Sequence, residues 1–252
     1  MFFKKMAVAA ASAFVALSAT QSYAAEELRI GSQTVYPPFE FLNSETGEYV
    51  GFDMDLIRAI AERANFKYKI YSMGLDGLIP ALMSGSIDLA VSALTITEAR
   101  AQRVDFTKSY YKSGLSIMTH KDDRDVIKGT KELEGKTLCV EIGSSGAIFS
   151  SKIPGVKLRT FNSAAEAFLE INQKGCYAMI NDRPVNEYFL KTKGAKMNLA
   201  HIPVLFAAED YGFALKKGNV ALRERLEKAL DELRADGTYD RIYEKWFGPV
   251  PK

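Results

Sequence analysis

Residues 53–71, DMDLIRAIAERANFKYKIY, hold the two periodicities that decide the fold. Leu56, Ile57, Ile60, Ala61 and Ala64 recur at spacings of three and four, which puts them on one face of a helix over Asp53–Asn65. Lys67–Tyr71 then has the composition of a strand. Outward from this pair the alternation continues, with strand candidates at Leu28–Ser32, Ile87–Ala93, Leu115–Thr119, Thr137–Ile142, Lys157–Phe161, Cys176–Ile180 and Tyr211–Leu215. Strands interleaved with helical patterns argue for an α/β fold of parallel sheets covered by helices. The apolar stripe of the first helix is then core, not a partner surface. Ser163-Ala164-Ala165-Glu166 has capping-box spacing, and Gly175 is placed to close that helix. Leu222, Leu226, Ala229, Leu230 and Leu233 form a stripe ending before Gly237, and Tyr239–Phe247 gives a last amphipathic helix before Gly248-Pro249.

The amino-terminal end has a different character. Lys4 and Lys5, an apolar run from Met6 to Leu17 and Ser22-Tyr23-Ala24 predict a cleaved secretory signal peptide over residues 1–24, with the mature chain starting at Ala25 or Glu26. The apolar run is short for a membrane span, which needs roughly 20 residues. The whole chain has 33 basic and 31 acidic residues; residues 1–24 hold two Lys and no acid, so the mature chain is formally neutral. A neutral chain is not built to track a phosphate backbone, and no nucleic-acid partner is expected. The remaining length fits two domains of about 100 residues each. Export places Cys139 and Cys176 in an oxidising compartment, where an even pair is expected to be bridged. The most loop-like interval, His120–Gly135, reads as the place where the chain leaves one lobe for the other; strictly sequential lobes would put the final helices in the second.

Catalytic signatures are missing. The chain has two His, His120 and His201, and no GxSxG, HExxH, Walker or GxGxxG pattern. Neither Cys sits in a CxxC or Cys/His cluster, so no metal site is expected, and no cofactor. Gly143-Ser144-Ser145-Gly146, between a strand and a helix, could turn backbone amides toward an anion or serve as a plain turn. Asp53 and Asp55 stand at a helix start, where carboxylates complement the dipole, and read as caps. In Ser92-Ala93-Leu94-Thr95-Ile96-Thr97-Glu98-Ala99-Arg100 a strand end runs into a helix that Thr97 can cap. Arg100 then falls in the first turn, where a cation is misplaced; it is either solvated or kept to grip a carboxylate with its planar fork.

The segments Tyr36-Pro37-Pro38-Phe39-Glu40, Gly51-Phe52-Asp53-Met54-Asp55-Leu56, Gly77-Leu78-Ile79-Pro80-Ala81-Leu82, Thr95-Ile96-Thr97-Glu98-Ala99-Arg100, Asp105-Phe106, Tyr110-Tyr111-Lys112-Ser113-Gly114 and Asp236-Gly237-Thr238-Tyr239 resemble, in order and spacing, the polar-amino-acid-binding proteins of ABC importers, solute-binding protein family 3. Glutamine-binding and lysine/arginine/ornithine- or histidine-binding members are the most similar. The resemblance covers essentially the whole mature chain. It implies a two-lobed periplasmic binding protein fold (type II), with the ligand in the interlobe cleft. Residues 25–109 and 214–252 would form the first lobe, 115–208 the second, and 110–114 with 209–213 two hinge strands. It also implies a periplasmic monomer that binds a free amino acid, delivers it to separate permease and ATPase subunits, and is not an enzyme. A few members of the superfamily are cyclohexadienyl dehydratases, so an enzyme is the alternative of another class, with Glu141 as its candidate acid.

Carried over by resemblance, Arg100 would take the ligand's α-carboxylate, helped by Thr95 and by Ser145 of the opposite lobe. Asp182, with the Ala93 carbonyl and Thr95, would take the α-ammonium; its alternative role is a helix N-cap. Tyr36 and Leu75 would press on the ligand's side chain from two sides. Arg100 should be solvated in the open cleft and paired only with ligand. Glu141 occupies the position where glutamine-binding relatives carry a Lys, so it should favour a cationic side chain, unless it points to solvent. Gln33 and Asn181 lie near that end and could bond an amide or a guanidinium. The expected ligand is therefore arginine, lysine or ornithine, with glutamine or histidine second. Finally, the family topology would set the strands holding Cys139 and Cys176 side by side in the second lobe.

Overall fold

The structure, a computed structural model, describes residues 27–250. The signal-peptide expectation lies outside the described residues. One sheet runs in the order Lys67–Ser72, Glu27–Ser32, Leu89–Ala90, Ala214–Lys216, Val104–Phe106. Its first three strands are parallel, with Ile30 opposite both Ile70 and Leu89, while Ala214–Lys216 is antiparallel to both neighbours. A second sheet runs Lys157–Phe161, Thr137–Glu141, Ala178–Asp182, Tyr111–His120, Leu199–Ile202. Here too the first three strands are parallel, and Tyr111–His120 runs against its neighbours. A small antiparallel sheet joins Val35–Tyr36, Glu40–Leu42 and Tyr49–Val50.

Two adjacent strands connect the large sheets. The start of Tyr111–His120 pairs with Ala208–Tyr211, Tyr111 opposite Tyr211 and Gly114 opposite Ala208. The chain then re-enters the first sheet at Ala214–Lys216. Tyr211–Leu215, read from the sequence as one strand, is thus two strands parted at Gly212-Phe213, where it changes partners. A β-carbon at Gly212 would crowd the end of the Ile96 side chain at 2.9 Å and the Thr107 carbonyl oxygen at 3.1 Å, so the crossing is tight but relievable there. The interval 120–135 does not bridge the sheets. It forms two short 3₁₀ turns, Lys121–Asp123 and Lys131–Leu133, and buries Ile127 and Leu133 in the core of the second sheet with Leu115, Ile117, Leu138 and Ile180. Its loop-like composition reflects charged residues on a surface turn.

The helices follow the sequence periodicity to within a few residues. Phe52–Ala64 buries Leu56, Ile57 and Ile60 and ends on Asn65 in the left-handed conformation. Ala164–Asn172 starts with half of the expected capping box: Ser163 Oγ accepts from Glu166 N, but the Glu166 carboxylate reaches one residue further back and accepts from Asn162 N. The turn closing it is made by Lys174 at φ 60°, one residue before the expected Gly175. Val220–Ala235 buries Leu222, Leu226, Ala229, Leu230 and Leu233. Cys139 and Cys176 form a disulfide with Cα atoms 5.6 Å apart. Cys176 lies two residues ahead of its strand, Ala178–Asp182, which pairs in parallel with the strand of Cys139 through Ala178 and Leu138.

Candidate functional site

The carboxyl ends of strands from both sheets face each other, and the loops beyond them build the cleft, as open α/β sheets generally do. After Leu89–Ala90 the chain turns through Ser92, Ala93 and Leu94. Ala93 takes φ 42°, a conformation that residues with a β-carbon rarely adopt. Thr97 Oγ1 then accepts from Arg100 N at 3.2 Å and caps the short helix Glu98–Ala101. From the other sheet, Thr137–Glu141 ends in a turn at Gly143, whose φ of 78° and approach to Asp76 would both resist a side chain. Ser144 Oγ accepts from Ala147 N and donates to the Glu141 carbonyl, so the Ser144 hydroxyl serves this turn and leaves Ser145 facing the cleft.

The loops bring the predicted residues together. Gln33, Tyr36, Leu75, Ala93, Thr95, Arg100, Ser145 and Asp182 line one small pocket. Glu141 joins through the Gln33 Nε2, which donates to its carboxylate across the cleft. The Tyr36 hydroxyl lies within bonding reach of the Asp182 carboxylate and of Asn181 Oδ1. Asp182 stands at the N-cap position of the helix Arg183–Lys191, yet its side chain caps nothing. Thr95 Oγ1 is 3.2 Å from Glu209 Oε2 and 3.4 Å from Ser145 Oγ.

Arg100 departs from expectation. Its Nη1 donates to the Thr95 carbonyl at 2.7 Å and its Nη2 to the Gly143 carbonyl at 2.9 Å, so it is bonded to main chain on both sides of the cleft. The two halves have come together around it, and burial lowers its pKa from the usual guanidinium value. Glu141 does not point to solvent. It is 1 % exposed, and burial pushes its carboxyl up to about 8.

Sequence reasoning places Glu209 in the hinge and gives it no binding role. It too is pushed up to about 8, first by burial and then by the charge of Asp182. The residues Ala208–Tyr211 do not mark it; the fold does, since Glu209 and Tyr211 turn inward there while Ala208 and Asp210 face out. Asp182 in the pocket, with Glu141 and Glu209 adjoining it through Gln33 and Thr95, therefore sets three carboxyls near one guanidinium. Glu141 Oε2 and Asp182 Oδ1 are buried with no hydrogen-bond partner, a costly arrangement that a cationic group would satisfy.

The model of the bacterial extracellular solute-binding proteins, family 3, matches residues 28–249. The L-arginine-binding protein of Pseudomonas aeruginosa is 33% identical over 252 residues, 97% of this chain and 96% of that one. Among solved structures, an ancestral arginine-binding protein bound to arginine superposes with a TM-score of 0.84 at 40% identity, covering 88% of this chain and 98% of that one. The ancestral amino-acid-binding protein AncCDT-1, a precursor of cyclohexadienyl dehydratase, gives 0.79 at 36% identity, covering 88% and 95%.

Proposed function

The chain belongs to the bacterial extracellular solute-binding proteins, family 3, and on that premise we propose that it captures a free basic amino acid, arginine, lysine or ornithine, for an ABC importer. The fold is the two-lobed one of periplasmic amino-acid-binding proteins. One observation carries the ligand class: two buried carboxylate oxygens lack partners, Asp182 Oδ1 in a pocket whose one lining cation is Arg100 and Glu141 Oε2 beside it behind Gln33. A basic amino acid presents two cations and one carboxylate, the complement of that set. In this reading the α-carboxylate takes the Arg100 fork with Thr95 and Ser145, exchanging main-chain partners for a charged one. Each such charge-assisted bond contributes about 1.5–3 kcal/mol. The α-ammonium meets Asp182 and the Ala93 carbonyl, and the side-chain cation meets Glu141 and Gln33, between Tyr36 and Leu75. Glutamine or histidine ranks second, since Gln33 and Asn181 can bond an amide or an imidazole.

Residues 25–109 and 214–252 act in this reading as one lobe, 115–208 as the other, and 110–114 with 209–213 as the hinge. Because Arg100 and Asp182 come from different lobes, a bound zwitterion favours closure. The rest of the assignment is a cleaved signal, a periplasmic monomer and separate permease and ATPase subunits. The test is thermal-shift screening of ligand-stripped protein against the twenty amino acids, ornithine and citrulline. Stabilisation by arginine, lysine or ornithine is expected, and no response to any amino acid would reject the function. An enzymatic reading has one observation in its favour, the raised Glu141 carboxyl, which could donate a proton. The relatives named for a ligand are binding proteins, and steady-state assays with prephenate and arogenate are expected to show no turnover.

A further inference from the structure

The sequence suggests that Asp53 caps a helix, but the structure gives it other work. Its side-chain bonds go elsewhere than to the helix Phe52–Ala64, and it is fully buried, with Oδ1 left without a partner. A single oxygen, Oδ2, accepts from Ala93 N at 2.8 Å and from the Tyr110 hydroxyl at 2.7 Å. The first donor belongs to the strained turn that lines the pocket. The second belongs to the residue just ahead of the crossing strand Tyr111–His120. Tyr110 is anchored there on three sides. Its N–H donates to the Tyr211 carbonyl, its carbonyl accepts from Tyr239 Oη at 2.6 Å, and its ring stacks on Phe213 with centroids 4.3 Å apart. A second buried acid, Glu40, accepts from Ser92 Oγ, and Ser92 Oγ accepts from Gln33 N. Ser92 and Ala93 are thus each held from below by one carboxyl.

We infer that Asp53 is a positioning residue of the ligand site: it holds Ala93 in its left-handed turn and ties that turn to the hinge through Tyr110. Left-handed backbone is disfavoured for a residue with a β-carbon and persists only where the surroundings fix it. The Ala93 N–H bond to Asp53 is such a restraint. It fixes the Ser92–Ala93 peptide and with it the start of the segment leading to Thr95, and both Ala93 and Thr95 line the pocket. This inference rests on the reading of the cleft as an amino-acid site. It adds that pocket floor and hinge share one buried acceptor, so the floor keeps its shape as the lobes move.

The test compares calorimetric affinity for arginine across variants shown by circular dichroism to be folded at the temperature used. Asp53→Leu removes both bonds and should weaken binding about thirtyfold, as expected for two lost bonds to a charged acceptor. Asp53→Asn keeps an acceptor oxygen for both donors and should recover most of that loss. Adding Ala93→Gly to Asp53→Leu should regain about fivefold or more, because glycine takes positive φ without help. A scaffold role alone would not respond to that second change. Should Asp53→Leu not fold, Tyr110→Phe carries the test, with an expected loss of about three- to tenfold. Unchanged affinity in Asp53→Leu or in Tyr110→Phe, or no recovery on adding Ala93→Gly, would overturn the inference. Wild-type protein that binds no amino acid would instead reject the function on which it rests.

Discussion

At the scale of single residues, charge placement governs recognition. Removing the Arg100 fork should cost the α-carboxylate two charge-assisted bonds, so Arg100→Ala is expected to lose about a hundredfold or more in affinity with the fold intact. Calorimetry beside circular dichroism checks both halves; binding within a few-fold of wild type would mean the clamp is elsewhere. Glu141→Gln should weaken a basic ligand by about tenfold, roughly 1.4 kcal/mol, and hardly change glutamine. The raised Glu141 carboxyl adds a pH dependence. Buried in the closed cleft with no cation beside it, the carboxyl is pushed up to about 8, while a bound cation favours the ionised form. Arginine binding near neutral pH therefore expels a proton, and affinity should rise with pH from about 6 to about 8. Titrations in buffers of different ionisation enthalpy measure that proton directly; identical heats in all buffers would refute it. Arg100 is legible in the sequence because a cation in a first helical turn needs a reason. Asp53 and Glu209 are not, because a carboxylate at a helix start or on an exposed-looking strand is locally well explained. Only the tertiary fold shows that both are buried.

At the scale of elements, the local signals are sound where the restraint is local. Ser163 caps its helix and Glu166 reaches back to Asn162 N, so Ser163→Ala should cost about 1 kcal/mol, seen as a lowered melting temperature without change in ligand affinity. Elements whose limits depend on partners are not legible in this way. Tyr211–Leu215 looks like one strand because its apolar run is continuous, yet its two halves pair with different sheets. The Cys139–Cys176 bridge closes a loop of sequence separation 37 and should contribute about 2–4 kcal/mol. Alkylated, unreduced protein should show no free thiol by mass spectrometry, and two alkylated thiols would disprove the bridge.

At the scale of the whole molecule, α/β class comes from the interleaving of strand and helix patterns, whereas the return of the chain to its first sheet cannot be read from periodicity. Composition places the change of lobe at 120–135; pairing along Tyr111–His120 puts the crossing strands earlier. Behind those strands, the chain's only Trp, Trp246, lines a groove with Phe247 on one side and Arg183, Glu187 and Tyr188 on the other. A hinge motion that changed the width of that groove would make amino-acid binding alter Trp246 emission, and Arg100→Ala should abolish the response. The most direct test of a basic-amino-acid cleft is a calorimetric titration of ligand-stripped protein with arginine, lysine and glutamate in turn. Saturable binding of arginine or lysine with glutamate silent is the predicted result, and glutamate binding with arginine and lysine inert would contradict it.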